Sequence, residues 1–195
     1  TSQELLRWKL AFEKYQDDFL FDEHDLETSS LLDVGTGSGD FIHYLQNIRH
    51  NHNTYGLDLN QESIPPSCSY LTVGTIHALP YADELFDITL SRDLLHTLYL
   101  SNDVLSLIPA LSELLRVTKK GGYIVYANKG PEKIQQAINK EIEDTKIKET
   151  LLQKLNENTK TEVLFLEKLH SLGNTVSIVF RGPRRIVKIE KRALQ

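Results

Sequence analysis

The feature that most restricts this chain is a run of nine residues, Leu31-Leu32-Asp33-Val34-Gly35-Thr36-Gly37-Ser38-Gly39. Residues 30–34 read as a short buried strand, and three glycines at alternate positions stop it. A glycine backbone can turn tightly and approach a ligand with no Cβ in the way. Phe41, Ile42 and Leu45 then begin a helix, whose first N–H groups have no partner within the helix. Strand, glycine turn and helix in that order predict a sheet with crossover helices.

The remaining sequence repeats the rhythm. Residues 54–59, 70–73, 88–91 and 123–127 read as further short strands, and residues 94–117 as helical, with Pro109 dividing or starting a helix. Ahead of the first strand, Leu5, Trp8, Phe12, Tyr15 and Phe19 fall at spacings of three and four, one apolar stripe on a helix over 4–20. Residues 22–30 are an acidic, polar connector. Beyond residue 130 the chain is highly charged, with a thin stripe of Ile134, Ile138, Ile142, Ile147, Leu151 and Leu155. It predicts one or two amphipathic helices over 131–158, then another helix over 162–172 closed by Gly173. Two alternating runs, 175–180 and 186–189, flank Gly182-Pro183 and predict an antiparallel hairpin.

Composition narrows the function classes. With 195 residues, 40% hydrophobic and 25% charged, the chain is expected to form one soluble domain. No apolar run approaches the roughly 18–20 residues needed to cross a bilayer, so no membrane partner is expected. Cys68 is the one cysteine, which leaves no internal disulfide and points to a reducing, cytoplasmic setting. His24, His43, His50, His52 and His170 show no metal-ligand spacing. The net charge of -5 hides an asymmetry: residues 1–100 hold 16 acids against 5 bases, residues 101–195 hold 11 against 17. An acidic total argues against general nucleic-acid binding. It leaves room for a local basic face on the hairpin, with Arg181, Arg184, Arg185, Lys188, Lys191 and Arg192.

The ligand of the glycine loop can be narrowed by charge. A dinucleotide fingerprint requires a third glycine where this chain has Asp40, which would face a pyrophosphate with like charge. No lysine ends the loop, so a nucleoside-triphosphate loop is excluded too. Asp33, at the carboxyl end of the strand, suits an ammonium group. Asp58 lies 23 residues after Gly35, at the end of the second strand, and can accept both hydroxyls of a ribose. The ligand so described has a ribose, a positive group and no pyrophosphate.

With these residues assembled, the sequence resembles a class I S-adenosylmethionine-dependent methyltransferase of the small type 11-like group. LLDVGTGSG at 31–39 resembles the family's first motif, YGLDL at 55–59 the second, HALPYADELFDITLSRDLLHTL at 77–98 the stretch around the third helix and fourth strand, and LLRVTKKGGYIVYAN at 114–128 the run into the fifth strand. The resemblance covers about residues 28–127 and implies S-adenosylmethionine as cofactor. It implies a Rossmann-like α/β sandwich with a mostly parallel seven-stranded sheet, helices on both faces and a C-terminal antiparallel hairpin. A single domain would then comprise an N-terminal helical segment (1–27), the cofactor core (28–127), a helical insert (131–158) serving as lid or dimer surface, and the last helix and hairpin (160–195). The cofactor residues implied are Asp33, Gly35, Thr36, Gly37, Gly39, Asp58, Leu59, Thr75, Ile76, His77 and Ser91. Thr75 stands where the family commonly has Asp or Asn, and its hydroxyl still accepts one hydrogen bond. Thr118-Lys119-Lys120-Gly121-Gly122 lacks the family's proline. The Asn/Asp-Pro-Pro-aromatic signature of base-amino methylation is absent, Ser91-Arg92-Asp93 standing in its place.

Methyl transfer from a sulfonium is a displacement that needs alignment more than a strong base. The acceptor is expected at the carboxyl ends of the first and fourth strands, where Arg92, Asp93 and His96 follow. These three are the candidate catalytic residues. His96 is either a neutral base or a packed side chain, Asp93 shares its helical face or caps the helix, and Arg92 holds a substrate carboxylate or pairs with Asp93 or Asp40. Tyr15 and Phe19 are candidates for the substrate wall, and the sparse apolar residues of 131–158 argue against a wide lipid groove. A small-molecule substrate leads. An RNA or protein substrate engaged by the basic hairpin, and a non-catalytic scaffold that kept the fold, are the alternatives, and monomer against homodimer stays open.

Overall fold

The computed structural model describes residues 1–66, 68–100 and 107–193. Its strands are β1 (Leu31–Val34), β2 (Thr54–Asp58), β3 (Leu71–Val73), β4 (Phe86–Arg92), β5 (Thr118–Lys129), β6 (Thr175–Arg181) and β7 (Arg184–Glu190). They form one sheet in the order β3-β2-β1-β4-β5-β7-β6. β1 to β5 pair in parallel, while β7 runs antiparallel to both β5 and β6. This is the mostly parallel, seven-stranded sheet with a C-terminal hairpin that the sequence predicts. The order reverses between β1 and β4, the switch point where ligands of open α/β sheets bind.

Helices α1 (Ser2–Phe19), α2 (Glu23–Thr28) and α3 (Asp40–Asn47) cover one face, where Leu31, Ile88, Leu90, Val125 and Ala127 join Phe41, Ile42 and Leu45 in a buried cluster. Helices α4 (Leu95–Leu98), α5 (Leu107–Val117), α6 (Pro131–Glu141) and α7 (Thr145–Ser171) lie on the other, against Leu32, Val34, Ile124, Tyr126, Val187 and Ile189. Side chains alternate along a strand, so Asp33 faces α1 while Ser91 and Asn128 face the opposite layer.

Three elements differ from the sequence reading. The polar connector at 22–30 contains α2, started by Asp22, whose side chain accepts the His24 N–H, and anchored by the buried Leu26. The separate helix over 162–172 is absent, because α7 is one helix of 27 residues. Nothing between 145 and 171 breaks it, and the Thr159 and Thr161 hydroxyls bond back to the carbonyls of Leu155 and Glu157 one turn earlier. The break falls instead at 142–144, where Asp144 caps the new helix through the Ile147 N–H. Pro109 lies in α5, the third of its described residues. Residues 101–106 of the predicted helical stretch lie outside the described residues. Among the described residues no helix is long and apolar enough to cross a membrane.

Candidate cofactor site

β1 ends in a loop whose three glycines all adopt positive φ, 84° at Gly35, 59° at Gly37 and 75° at Gly39. L-residues avoid this region, and Gly39 starts α3 from it. A Cβ on Gly39 would lie 2.5 Å from Cδ1 of Leu71, whereas one on Gly37 would meet nothing within 4 Å. The loop is therefore packed at its far end and open at its centre.

Asp58 fixes the loop from the neighbouring strand. Its Oδ2 accepts the Gly37 N–H at 2.8 Å and its Oδ1 accepts the Asn60 N–H at 2.9 Å. Around this pair lies a cleft of about 180 Å³ that brings together six of the expected residues: Gly35, Asp58, Leu59, Thr75, Ile76 and His77. Leu94, Thr97 and Leu98 form its opposite wall. Thr75 accepts the His77 N–H through its hydroxyl at 3.3 Å. A larger hollow of about 660 Å³, beside Pro65, Pro66 and Cys68, holds none of the expected residues.

Asp33 lies on the other side of β1, fully buried. Its Oδ2 accepts the Tyr15 hydroxyl at 2.9 Å, and its Oδ1 is buried with no hydrogen-bond partner. Burial pushes its carboxyl up to about 7, against the pull of the Thr36 and Tyr15 hydroxyls. Ser91 Oγ and both amide atoms of Asn128 are also buried without partners. Native proteins pair nearly all such groups. In this chain they lie at the carboxyl ends of β1, β4 and β5, with Asp33 on the α1 side of the sheet and Ser91 and Asn128 on the other.

The three candidate catalytic residues divide. Arg92 pairs with Asp18 at 2.7 Å and Asp93 at 3.1 Å; Arg184 pairs with Asp18 at 3.1 Å and grips Asp93 through Nη1 and Nη2 at 2.7 and 2.9 Å. Two acids and two bases close a ring over the end of β4. Asp40, the other carboxylate considered for Arg92, pairs with Arg7 instead, at 2.8 Å. Asp93 neither caps α4, whose N-terminus has no side-chain cap, nor stands free. Burial alone would raise its carboxyl, but the hydrogen bonds and charge of Arg184 hold it below the ordinary range. His96, on α4, is half-buried with Nδ1 unpartnered, and burial lowers its pKa, so its ring is neutral near pH 7.

The aromatic stripe of α1 packs on α3. Trp8 stacks on His43 at 5.1 Å, Phe12 on Tyr44 at 4.4 Å and Tyr15 on Phe41 at 4.1 Å. Of the cations of the C-terminal hairpin, Arg184, Arg185 and Lys191 are drawn into the fold, while Arg181 and Arg192 are exposed and Lys188 is half-exposed. Arg184 belongs to the ring; Arg185 is buried against Glu162 at 2.8 Å, where the Tyr99 and Tyr126 hydroxyls also donate. Arg181 donates to the Asp17 carbonyl, Lys191 to those of Leu115 and Thr118, and Lys188 pairs with Glu190. Sequence reasoning missed Asp18, Asn128 and the Glu162 cluster.

Residues 32–126 match the family described as Methyltransferase domain. This chain carries a methyltransferase domain of the class I, S-adenosylmethionine-dependent type. Among curated proteins it is 28% identical, over 77% of its length, to the phthiotriol/phenolphthiotriol dimycocerosates methyltransferase of Mycobacterium tuberculosis, and it spans about half (53%) of that protein. Among solved structures, a SAM-dependent methyltransferase of Methanosarcina mazei shares the fold with a TM-score of 0.60 at 18% identity, covering 86% of this chain and 94% of that one. The plantazolicin methyltransferase BpumL, solved with S-adenosylhomocysteine, shares it with a TM-score of 0.58 at 14% identity, covering 97% and 84%.

The methyltransferase domain's cofactor is S-adenosylmethionine, and the residues present fit it. Asp33 Oδ1 would suit an ammonium, the open space at Gly37 would let an amino-acid part pass, and Asp58, Thr75 and Ile76, which line the cleft, would hold ribose and adenine.

Proposed function

We propose that this chain transfers the methyl group of S-adenosylmethionine by direct displacement to an oxygen, nitrogen or carbon atom of a small molecule. When bound, the cofactor supplies an activated methyl on a sulfonium. The chain's own residues orient and exclude water. In this reading Asp33 and Asp58 hold the two polar ends of the cofactor. Ser91 and Asn128 offer unpaired hydrogen-bonding atoms beyond it, and the neutral His96 is the candidate to take a proton from the acceptor.

The observation that carries the small-molecule reading is the ring of Asp18, Arg92, Asp93 and Arg184. It pairs the charges at the end of β4 with one another, and the cleft beside the glycine loop is small, about 180 Å³. Engagement of Arg184, Arg185 and Lys191 within the fold leaves fewer hairpin cations to meet a polyanion, which supports the small-molecule reading. The phthiotriol substrate named for the mycobacterial relative is in keeping with a small-molecule acceptor.

The test is transfer of label from S-[methyl-³H]adenosylmethionine into a cell extract separated into small molecules, RNA and protein. Label in the small-molecule fraction, dependent on Asp58, is the expected result. Label confined to RNA or protein contradicts it.

A further inference from the structure

The carboxyl of Asp33 makes one close hydrogen bond, to Tyr15, and the Thr36 hydroxyl also favours its ionised form. Oδ2 accepts the Tyr15 hydroxyl at 2.9 Å, while Oδ1, equally buried, has no partner. Tyr15 is itself buried, stacked on Phe41 with ring centroids 4.1 Å apart and lying 5.6 Å from the Arg92 guanidinium. Three residues further along α1, Asp18 is fastened by Arg92 and Arg184. The hydroxyl thus has one fixed direction, and the helix that carries it is tied to the ends of β4 and β7.

We propose that Tyr15 is a positioning residue for the cofactor: it holds Asp33 by Oδ2 so that Oδ1 is presented to the cofactor's ammonium, and thereby couples the docking of α1 to cofactor binding. The inference rests on the cofactor reading of the glycine loop. It makes binding proton-linked, since the ammonium pairs only with the ionised carboxyl. The groups facing Asp33 are Tyr15 from α1, Thr36 from the glycine loop, Asp58 from the end of β2 and Arg92 from β4, and Asp93 acts on Tyr15. Burial dominates and places the carboxyl near pH 7; the Thr36 and Tyr15 hydroxyls favour its ionised form, Asp58 opposes and Arg92 assists. Removing the Tyr15 hydroxyl withdraws one stabiliser of the carboxylate and moves its titration upward.

The experiment is calorimetric titration of the full chain with S-adenosylhomocysteine between pH 5.5 and 7.5, in two buffers of different ionisation enthalpy. 5′-Methylthioadenosine, which lacks the amino-acid part, serves as the comparison ligand. This range stays below the ligand's own α-amino titration, at about 7.7–8.0. The expected result is roughly tenfold weaker S-adenosylhomocysteine binding at pH 6 than at pH 7.5, with proton release, and no such dependence for methylthioadenosine. Tyr15→Phe keeps the ring stacking; it should shift the S-adenosylhomocysteine profile to higher pH and leave methylthioadenosine affinity unchanged, while Asp33→Asn should flatten the profile. A wild-type profile in Tyr15→Phe, or a flat wild-type profile without proton exchange, overturns the proposal. Failure of both ligands to bind overturns the cofactor reading and the proposal with it.

Discussion

Arg184 holds Asp93 in a fork, Nη1 to Oδ1 at 2.7 Å and Nη2 to Oδ2 at 2.9 Å, across 91 residues of sequence. A carboxylate so engaged positions the chain and is a poor proton acceptor. Asp93→Asn should therefore cost about 1–2 kcal/mol of stability, the range for partly exposed, multiply paired charges. Because Asp93 titrates below its unfolded value, its contribution is present above about pH 4 and is lost as pH falls through the lower folded value. Urea unfolding of both proteins at pH 7 and pH 3 checks this. Unchanged stability with abolished turnover would return Asp93 to a catalytic role.

Asp33 carries the opposite sign. Its folded pKa, about 7, lies above the unfolded value of about 3.9. Between these the native state binds more protons than the unfolded one, so this group's contribution to stability falls as pH rises from 4 to 7. Asp33→Asn, free of that charge, should be more stable than wild type at pH 8, by at most about 4 kcal/mol, with the gap closing towards pH 4. Its affinity for S-adenosylhomocysteine should drop at the same time. Thermal unfolding across pH is the measurement, and a gap independent of pH would refute the buried-carboxylate account.

Glu162 is fully buried in the middle of α7, bonded by Arg185 and by the Tyr99 and Tyr126 hydroxyls. Glu162→Leu leaves the Arg185 charge buried and unpaired, which costs about 3–5 kcal/mol. Adding Arg185→Met should recover much of that loss, because an apolar pair of similar volume avoids the desolvation of both charges. Denaturant midpoints of the two single variants and the double variant test the coupling.

The glycine loop offers a graded pair. Gly37→Ala has room for its methyl group and should cost about 1–2 kcal/mol for the left-handed backbone alone. Gly39→Ala adds a contact that displaces the buried Leu71, so it should lose about 1–3 kcal/mol beyond that. Equal losses would mean that packing at Leu71 is looser than described.

Much of the fold was legible because its signals are local. β1 is four apolar or buried residues ending at alternate glycines, and Asp58 follows at the spacing a ribose-binding carboxylate takes, so the cleft could be read before the fold was known. Other features depend on pairs far apart in sequence, and periodicity carries no information about them. Asp18 meets Arg92 across 74 residues and Glu162 meets Tyr99 across 63. Tyr15 was visible as one aromatic among five on a helical stripe, but nothing in the stripe says that its hydroxyl lands on Asp33. α2 escaped because a six-residue helix with one buried leucine has no period to detect. The division near 158–162 is an error of the opposite kind, because residues 156–162 carry no apolar side chain to continue the stripe although α7 runs straight through them.

The central claim is that the cofactor lies between the glycine loop and Asp58, with its ammonium on Asp33. A crystal structure grown with S-adenosylhomocysteine tests it most directly. The account predicts ribose hydroxyls on the Asp58 carboxylate, adenine between Thr75 and Ile76, and the ammonium against Asp33 Oδ1. A ligand seated elsewhere, as in the hollow beside Pro65, Pro66 and Cys68, or an unliganded cleft at millimolar S-adenosylhomocysteine, would contradict it.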